Sequence, residues 1–481
     1  MNKHPDWALK HKVKGTELRL IRGKYYLYEI SSKWNPEIKR AKKITGKYLG
    51  RITEHAGFIK KKQAVGEVEF SDKTKIAVKE SGVAVLIKNW FNEYNQLLEK
   101  HFPTCWQSIV ALSYGKLAFH SAMKNMKFHY QHSFLSELFP DAAISPSQLT
   151  KFLRDLGSDR RKIVDFFKEF NQANDNIIFD GTDLLSNSNK MDLPKLSKSK
   201  KGSFDSVLNI MFVFSVGQQQ PVYYRILPGN IKDIKSFKLS LEEAQIKDAI
   251  IIADKGFYSE SNIKKLNSEN LNYIIPLRRN SSLIDYEYIK TNSKEDFDGF
   301  FKYEKNIIWY KTETKDKVKI NIYLNDKLKA EESTDYLKRI ETHPEKYSLE
   351  NYYKKQHSFG TLTLVENNSK SPEQVYLAYK ERSQVEGMID VLKNTLEADK
   401  SYMQNEQALE AWMFINYIAL LWYYKIIRAL REHELNSTYS PMDLILFLKE
   451  VKKVKINDKW YDAETTAKTL KLLEKLQIHI T

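Results

Sequence analysis

NIIFDGT at residues 176–182 and AIIIADKG at residues 249–256 are the two stretches that decide the fold. In each, a short apolar run ends at an aspartate, Asp180 or Asp254, and a glycine follows within two positions. Continuous apolar runs are typical of strands that are covered on both faces of a sheet. Ligands of open α/β sheets gather at the carboxyl ends of strands. We therefore predict two central neighbouring strands that bring both carboxylates to one side of the sheet.

The residues around these strands predict the rest of a core. Residues 207–215 and 221–226 form a hairpin around Gly217, residues 234–246 and 259–266 are helical, and residues 272–277 form another strand. The resulting order is β-β-β-α-β-α-β, with an antiparallel start and a parallel continuation. This order predicts an α/β catalytic core of RNase H-like fold.

Residues 379–393, YKERSQVEGMIDVLK, supply a third carboxylate. On one continuous α-helix, with a step of about 100° per residue, a narrow stripe carries Tyr379, Arg382, Glu386 and Lys393. Val385, Ile389 and Leu392 form an apolar stripe beside it that would dock the helix on the core. A carboxylate among cationic and hydroxyl donors suits a site that holds a metal ion and a phosphodiester together.

Each acidic residue also has a plainer interpretation. The stripe would equally be a solvated helix face, and Asp390 and Glu397 fall near it, so geometry does not single out Glu386. An aspartate at the end of a strand is often a turn residue. Asp183 and Asp248 lie near the two strands, three residues beyond the first and before the second. The joint pattern favours a site over these separate interpretations.

The three carboxylates predict a metal centre. Asp180, Asp254 and Glu386 would hold two Mg²⁺ ions about 4 Å apart, with Mn²⁺ able to substitute.

The segment IIFDGTDLL also invites comparison with phosphatases of the haloacid-dehalogenase type, which carry a strand followed by Asp-x-Asp-Gly-Thr. Ile178 stands where their nucleophilic aspartate would be. Without that nucleophile the covalent mechanism is excluded.

Charge and composition point to a nucleic-acid partner. The chain has 481 residues and a net charge of +16, of which residues 1–62 carry +12. Residues 17–53 alternate as in a small β-hairpin unit rich in Lys and Arg. Such a segment suggests a polyanion, although a solvated basic arm has the same composition. Lys190, Lys195, Lys198, Lys200 and Lys201, in the loop after the Asp180 strand, would contact DNA backbone or form a solvated loop.

Other features restrict the class of protein. Cys105 is the single cysteine, which excludes internal disulfides and thiolate metal clusters and fits a reducing cytosol. The first twelve residues contain no apolar core of a secretion signal. The longest apolar run, 411–424, is interrupted by Asn416 and is shorter than the about 20 residues needed to span a bilayer. We therefore predict a protein without a membrane partner, located in the cytoplasm.

The periodicities predict six regions. They are a basic N-terminal β-rich arm that binds DNA (1–80), a helical domain for DNA or dimer contacts (81–175), the first part of the core (176–282), a β-rich insertion (283–358), the second part of the core with the 379–393 helix (359–410) and a helical C-terminal region (411–481). Within the second region, Ser145-Pro146 starts a helix, Gly157 ends it and Ser158 caps the next. That pair would be an ordinary helical hairpin or a helix-turn-helix that binds DNA.

From about Ile177 to about Leu420 the chain resembles the DDE-class insertion-sequence transposases of the Y-R-E-K group, the insertion-sequence-four superfamily. The resemblance rests on Asp180 in FDGT, on LPGNIKD at 227–233, on Asp254 in ADKGFYS and on the spacing of Tyr379, Arg382, Glu386 and Lys393. Ser383 and Ile389 stand where the group often has aromatic residues. Over residues 1–175 the resemblance is only general.

The resemblance implies a function. Asp180, Asp254 and Glu386 would be the catalytic, metal-binding triad, and Tyr379, Arg382 and Lys393 would bind phosphates near the cleaved strand. Such enzymes bind the terminal inverted repeats of an element, pair both ends in a synaptic homodimer, cleave the DNA and join the 3′ ends to target DNA. Members often use a DNA hairpin intermediate. The resemblance also implies a prokaryotic cytoplasm, where the protein acts on nucleoid DNA.

Two alternatives belong to other functional classes. One is a metal-dependent nuclease of the same fold that cleaves without strand transfer, although simple cleavage needs neither a basic arm nor a large insertion. The other is a DNA-binding regulator derived from a transposase and without catalytic activity, against which the intact set of carboxylates argues.

Overall fold

A computed structural model of the chain describes residues 4–35, 40–60, 75–173, 175–198, 204–229, 233–246, 249–290, 293–315 and 318–479. Three features singled out in the sequence lie outside these ranges: Lys200 with Lys201, Asp248, and the centre of the LPGNIKD segment.

The helices and strands fall into three successive stretches of the chain. The first third of the chain contains α1 (Asp6–Leu9), β1 (Thr16–Ile21), β2 (Lys24–Asn35), β3 (Arg40–Thr53), β4 (Gly57–Lys60), β5 (Ile76–Glu80), α2 (Gly82–Asn89), α3 (Asn92–His101), α4 (Trp106–Phe119), α5 (Met126–Gln131), α6 (Leu135–Leu138), α7 (Pro146–Ser158) and α8 (Arg160–Lys168). The middle contains β6 (Asn176–Ser186), β7 (Lys195–Lys198), β8 (Phe204–Ser215), β9 (Gln220–Pro228), α9 (Asp233–Ala244), β10 (Ile250–Ala253), α10 (Glu260–Ser268), β11 (Asn272–Pro276) and α11 (Glu287–Lys290). The last part contains β12 (Gly299–Tyr303), β13 (Asn306–Lys315), β14 (Val318–Asn325), α12 (Asp326–Thr342), α13 (Leu349–Lys355), β15 (Thr361–Glu366), α14 (Pro372–Lys380), α15 (Ser383–Asp390), β16 (Lys400–Ser401), α16 (Glu406–Glu432), α17 (Pro441–Lys449), β17 (Lys452–Ile456), β18 (Lys459–Asp462) and α18 (Ala467–Lys475).

The chain divides into two compact units. The terminal unit comprises Met1–Trp90, Gln131–Leu138 and His433–Thr481, and the central unit comprises Phe91–Tyr130 and Phe139–Glu432. These limits differ from the predicted boundaries at 80, 175 and 410. The physical reason is pairing between distant segments: β5 and β17 form an antiparallel ladder in which Val78 lies opposite Val454. No local pattern in the sequence indicates such a pairing.

The terminal unit contains two antiparallel sheets. One has the order β1-β2-β3-β4 and packs Leu18, Leu27 and Ile52 against Ala8 of α1. Strands were predicted in this region, and the sheet confirms them. The other sheet has the order β18-β17-β5, so the prediction that residues 411–481 are entirely helical was wrong. The strands β17 and β18 are short and rich in lysine, and their stability comes from pairing with each other and with β5.

The central unit is a mixed α/β structure built on one large sheet. Its order is β12-β13-β14-β15-β11-β10-β6-β8, with β9 on β8. Strand β8 pairs antiparallel with β6 and with β9, whereas β10 pairs parallel with β6 and β11 pairs parallel with β10. This is the predicted strand order. Gly229 permits the close approach that ends β9, since a Cβ atom there would lie 2.1 Å from the carbonyl oxygen of Val207.

The segment predicted as a separate β-rich insertion extends this sheet. Its last strand, β14, pairs antiparallel with β15, and β15 pairs with β11 of the core. The second half of the segment is helical, in α12 and α13. The strands add to the core because β15 presents a free edge whose backbone groups need partners.

Helix α16 organises the helices of the central unit. Its apolar residues 411–424 are buried within the protein, as predicted for this run, and none of the described helices is long and apolar enough to cross a membrane. Gly157 lets α7 approach α16, because a Cβ atom there would lie 1.7 Å from the carbonyl oxygen of Gln407. Helix α7 continues through Gly157, and Asp159 caps α8, so the predicted stop and the Ser158 cap were wrong. Helix α7 packs on α16, whereas α8 packs on α3, α9 and β9 with Phe166 and Phe167 buried.

A network of buried charges joins α8, α9 and α16. The guanidinium of Arg160 contacts Glu243 (2.7 Å) and Glu410 (2.6 Å) and donates to the carbonyl oxygen of Tyr224 (2.6 Å). The phenol groups of Tyr223 and Tyr224 donate to the same two carboxylates. Burial opposes the charge of Arg160, but Glu410, Tyr224 and Glu243 more than offset it and raise its pKa well above the ordinary value. The network therefore holds three helices and β9 in one arrangement.

Lys116 of α4 gives a prediction about the pH dependence of stability. Its side chain is buried, and desolvation lowers its pKa from the ordinary 10.5 to about 8, with Glu397 partly opposing the shift. Because the folded-state pKa lies below the unfolded one, the charged side chain destabilises the folded protein by roughly 3 kcal/mol at pH 7. That penalty should decrease as the pH rises from about 8 towards 10.5.

Lys116→Met should therefore raise the free energy of unfolding by about 1–3 kcal/mol at pH 7 and by progressively less as the pH approaches 10.5. Urea unfolding of both proteins at several pH values measures this difference. A control is Lys124→Met, which removes an exposed lysine nearby in the chain. A gain from Lys116→Met that is the same at pH 7 and pH 10 would show that charge burial is not its cause.

Candidate active site

Asp180 lies on an interior strand of the large sheet. Strand β6 runs between β8 and β10, and Ile178 and Phe179, which precede the aspartate, are fully buried. Ala253 of β10 lies opposite Phe179 in a parallel ladder, so Asp254 follows at the level of Asp180. The register thus places the two aspartates side by side, as predicted. Strand β6 continues to Ser186, however, so Asp180 lies within the strand and the prediction that the strand ends there was wrong.

Asp254 begins a short 3₁₀ helix, Lys255–Phe257, directly after β10. Its carbonyl oxygen accepts from the backbone N–H of Phe257 (2.9 Å), and Phe257 packs on Phe237 of α9 with ring centroids 5.5 Å apart. Phe237 also contacts Phe179 of β6, at 4.9 Å. These aromatic contacts fix the turn and leave the Asp254 carboxylate about one-third exposed.

The helical spacing predicted one continuous α-helix over residues 379–393, and this prediction was wrong. Helix α14 ends at Lys380, α15 begins at Ser383, and residues Val391–Thr395 form a π-helical turn. At the first junction, the N–H groups of Arg382 and Val385 donate to carbonyl oxygens three residues earlier. At the second, Leu396 donates to the carbonyl oxygen of Val391, five residues earlier.

Burial of apolar side chains explains this winding. The face docked on the sheet consists of Val385, Met388 and Leu392, all buried, whereas Ile389 is only half-buried. The wider π-helical turn keeps the side chains of Leu392 and Leu396 buried in the core. Such π-turns are frequent at functional sites. A uniform step of 100° per residue cannot anticipate this change.

Arg382 brings the three predicted carboxylates together. One guanidinium nitrogen lies 3.8 Å from Asp180 Oδ1 and 3.7 Å from Asp254 Oδ1, and another forms an ion pair with Glu386. Burial opposes the charge of Arg382, but Tyr379 and these three carboxylates more than offset it, so its pKa is raised. The side chains of Asp180 and Arg382 are less than one-fifth exposed, whereas that of Glu386 is about half exposed.

Tyr379 stands at the end of α14 beside this cluster. Burial raises the pKa of its phenol, Arg382 lowers it, and Asp254 and Glu386 raise it further. The net shift is upward, so the side chain keeps its proton at neutral pH. Tyr379 is therefore a hydrogen-bond donor in the immediate surroundings of the carboxylates.

Lys393 forms an ion pair with an acidic side chain of β6. Its ammonium group lies 3.1 Å from Asp183 Oδ1 on β6, and both side chains are about one-fifth exposed. From its position in the sequence, Asp183 was expected to be a bystander. No local signal reveals the pair, because the two residues are 210 positions apart and meet only when the π-turn docks on β6. Asp183 thus holds the lysine beside the strand that carries Asp180.

The donor set fits a divalent cation once Arg382 is displaced. Hard cations prefer carboxylate oxygens, and three carboxylates converge here on a single positive group. Within the described ranges, no three acidic, histidine or cysteine side chains are arranged as ready metal ligands. Arg382 lies among the three carboxylates and neutralises them in this conformation, so a cation held by all three would have to displace it.

This competition leads to a prediction for Arg382→Gln. Removing the guanidinium should raise the affinity of the protein for Mn²⁺ without DNA by at least about tenfold, because the three carboxylates lose their internal cation. Calorimetric titration with Mn²⁺ measures the change. Lys380→Gln is a matched control, since the ammonium of Lys380 contacts the ring of Tyr376 (5.1 Å) instead of a carboxylate. Equal Mn²⁺ affinity in wild type and Arg382→Gln would contradict competition.

Comparison with known proteins connects the site to a family. Residues 171–422, more than half of the chain, match the sequence model of the family described as "Transposase DDE domain". No curated protein matches the chain. Among solved structures, the chain is similar to a cryo-EM structure of the piggyBac transposase synaptic complex with hairpin DNA, at 12% identity and a TM-score of 0.36, over 72% of this chain and 71% of that one.

Proposed function

Because the chain belongs to the family of transposases with a DDE domain, we propose that it is the transposase of an insertion sequence, in the Y-R-E-K group. It binds the terminal inverted repeats of the element as a synaptic homodimer, cleaves the DNA strands there and joins the freed 3′ ends to target DNA by cut-and-paste transposition. The reaction takes place on nucleoid DNA in a prokaryotic cytoplasm.

One observation carries the proposal: Asp180, Asp254 and Glu386 converge on the guanidinium of Arg382. The carboxylates come from three separate segments of the chain, and the strand order around them, β9-β8-β6-β10-β11, supports an RNase H-like core. A set of carboxylates at neighbouring strands of such a sheet suits phosphoryl transfer, since that reaction depends on positioning and on stabilisation of negative charge.

The proposed roles follow from the side chains. Asp180, Asp254 and Glu386 would hold two divalent cations, Mg²⁺ or Mn²⁺, which when bound lower the pKa of the attacking water or 3′-hydroxyl and stabilise the leaving oxygen. Arg382, displaced from the carboxylates, presents two parallel donors to a phosphate of the cleaved strand. The phenol O–H of Tyr379 donates a hydrogen bond to a phosphate oxygen. Lys393, held by Asp183, is a point charge beside β6.

The sheet β1-β2-β3-β4 is the proposed site for end-specific DNA binding. Lys24, Lys33 and Lys47 are exposed on it, and the ring of Trp34 is 62% exposed. An exposed aromatic side chain among cations is typical of a surface that binds nucleic acid, because phosphates dominate the affinity and bases or sugars pack on the ring.

Salt dependence tests this surface. Replacing Lys24, Lys33 and Lys47 together by glutamine should reduce the slope of log affinity against log salt for duplex DNA by about 2–3, since each phosphate contact contributes about 0.9. The matched control replaces Lys327, Lys346 and Lys354 of α12 and its surroundings, which are exposed and lie within 4.0 Å of neighbouring glutamates. Equal slopes for both triple variants would remove the sheet from the interface.

Strand transfer distinguishes a transposase from a nuclease. Purified protein is incubated with Mg²⁺, a pre-cut inverted-repeat end taken from the DNA that flanks its coding region, and a supercoiled plasmid. We expect products in which the end is covalently joined to the plasmid. A plasmid that is only nicked would indicate a nuclease, and DNA binding without any cleavage would indicate an inactive regulator.

A further inference from the structure

A groove of about 330 Å³ lies in the central unit, outside the cluster of carboxylates. It is lined by residues of α7 between Pro146 and Arg154, by Met123 and Lys124, and by residues 402–405 with Ala408. Its volume is at the lower end of the range of about 300–1,000 Å³ typical of sites for small organic groups. We refer to it as the α7 groove.

The floor of the α7 groove is apolar and its rim is aromatic. Leu149 and Leu153 of α7 and Met123 are buried in the floor. The ring of Tyr402, in contrast, is 64% exposed at the rim. An exposed ring above an apolar floor offers a flat surface on which another planar group can stack.

The charged residues that line the α7 groove are cationic. Lys124 and Arg154 line it and are exposed, and the ammonium group of Lys400 lies 5.7 Å from the centre of the Tyr402 ring. No acidic residue is found among the described residues that line the groove. Within the same described ranges, Lys124, Arg154 and Lys400 form no ion pair with a carboxylate. These cations are therefore available to an anionic ligand.

The α7 groove is joined to the strand that carries Asp180. The short strand β16 pairs parallel with the end of β6, where Lys400 lies opposite Leu185. Beyond it, the side chain of Gln404 accepts from the backbone N–H of Asn189 (3.3 Å). Five residues of strand separate Asp180 from Leu185, which is about 17 Å.

We propose that the α7 groove binds single-stranded DNA, with one unpaired base stacked on Tyr402 and neighbouring phosphates on Lys124, Arg154 and Lys400. Positive grooves with an aromatic stacking surface are the general means of binding single strands. A duplex does not offer an exposed base face, so the exposed ring favours a single strand. The inference rests on the proposed function, which supplies DNA as the substrate.

Binding of a fluorescein-labelled oligothymidylate of 12 nucleotides, a length within the range of about 4–16 known for single-strand sites, tests the groove. The full chain is used with EDTA, so that no cleavage occurs, and fluorescence anisotropy gives the affinity. Tyr402→Ala should weaken binding by about five- to a hundredfold, the effect of losing one stacked base. Tyr402→Phe should stay within about twofold of wild type, because the ring is kept.

Two further variants complete the test. Tyr353→Ala is the matched control, since Tyr353 on α13 is 61% exposed, and it should bind as wild type does. Lys124→Gln combined with Arg154→Gln should reduce the salt slope by about 1.4, at about 0.7 for each contact to a single strand. Agreement of these results would support the groove as the site.

The inference is overturned if Tyr402→Ala binds oligothymidylate as tightly as Tyr353→Ala does. It is also overturned if Tyr402→Ala weakens binding of a 12-base-pair duplex as much as that of the single strand, or if wild type does not bind the single strand. Failure of the wild-type protein to join a pre-cut end to a plasmid, with the Tyr402 effect intact, would reject only the proposed transposase activity.

Discussion

Asp180→Asn should abolish metal-dependent cleavage of DNA ends, with a loss of at least about a thousandfold, equivalent to about 4 kcal/mol in the barrier. The substitution keeps the size of the side chain but removes the negative charge that would hold a cation. It also removes one of the carboxylates around Arg382. Asp254→Asn and Glu386→Gln should have effects of the same order, because all three groups would act on the same ions. Cleavage of a labelled inverted-repeat duplex with Mg²⁺ measures the rates.

The chain contains a matched control for this loss. Asp390 is an exposed carboxylate on the same helix as Glu386, and its Oδ1 accepts a hydrogen bond from Asn394 (2.6 Å). Asp390→Asn should keep the cleavage rate within about twofold of wild type, since the carboxylate lies on the surface. Asp183→Asn should give a partial loss, because it frees Lys393 without removing a proposed metal ligand. Cleavage at the wild-type rate by Asp180→Asn would show that the site assignment is wrong.

Arg160→Met should lower the free energy of unfolding by about 3–5 kcal/mol, because it leaves Glu243 and Glu410 without their shared cation. Both carboxylates are largely buried, at 22% and 15% exposed. The phenol groups of Tyr223 and Tyr224 remain as donors to them, but a neutral hydrogen bond does not offset a buried charge. Urea unfolding followed by tryptophan fluorescence measures the change in the central unit.

Two comparisons separate charge burial from loss of packing. Lys162→Met removes a cation on the same helix that is 59% exposed and pairs with Asp159 (3.1 Å), so it should change stability by less than about 1 kcal/mol. Replacing Arg160, Glu243 and Glu410 together by methionine should recover much of the loss, because no unpaired charge remains. A triple variant that is less stable than Arg160→Met would show that the ion network itself contributes more than its desolvation costs.

Several elements of the fold could be predicted because their signals are local. The apolar runs before Asp180 and Asp254 form parallel strands in register, and the residues around them follow in the predicted order. The apolar run 411–424 is a buried part of α16. In each case consecutive residues show which side chains are apolar, and a strand or helix of the matching period buries those side chains.

Other features depend on contacts between distant residues. Strand β5 pairs with β17, and the core sheet continues from β15 to β14. Both pairings are made by backbone hydrogen bonds, which do not depend on the pattern of side chains in the sequence. The π-turn at Val391–Thr395 arises because Leu392 and Leu396 must both reach the core. These are the elements for which the sequence predictions were wrong or incomplete.

The sequence by itself indicated the candidate residues: Asp180 and Asp254 through the ends of apolar runs, and Arg382 and Glu386 through a spacing that resembles the Y-R-E-K group. Only the tertiary structure decided which charged groups contact one another. Arg382 lies among all three carboxylates, and Lys393 forms an ion pair with Asp183. The physical reason is that side-chain identity and local period are encoded residue by residue. The partner of a charge, in contrast, depends on which distant segment burial and hydrogen bonding bring beside it.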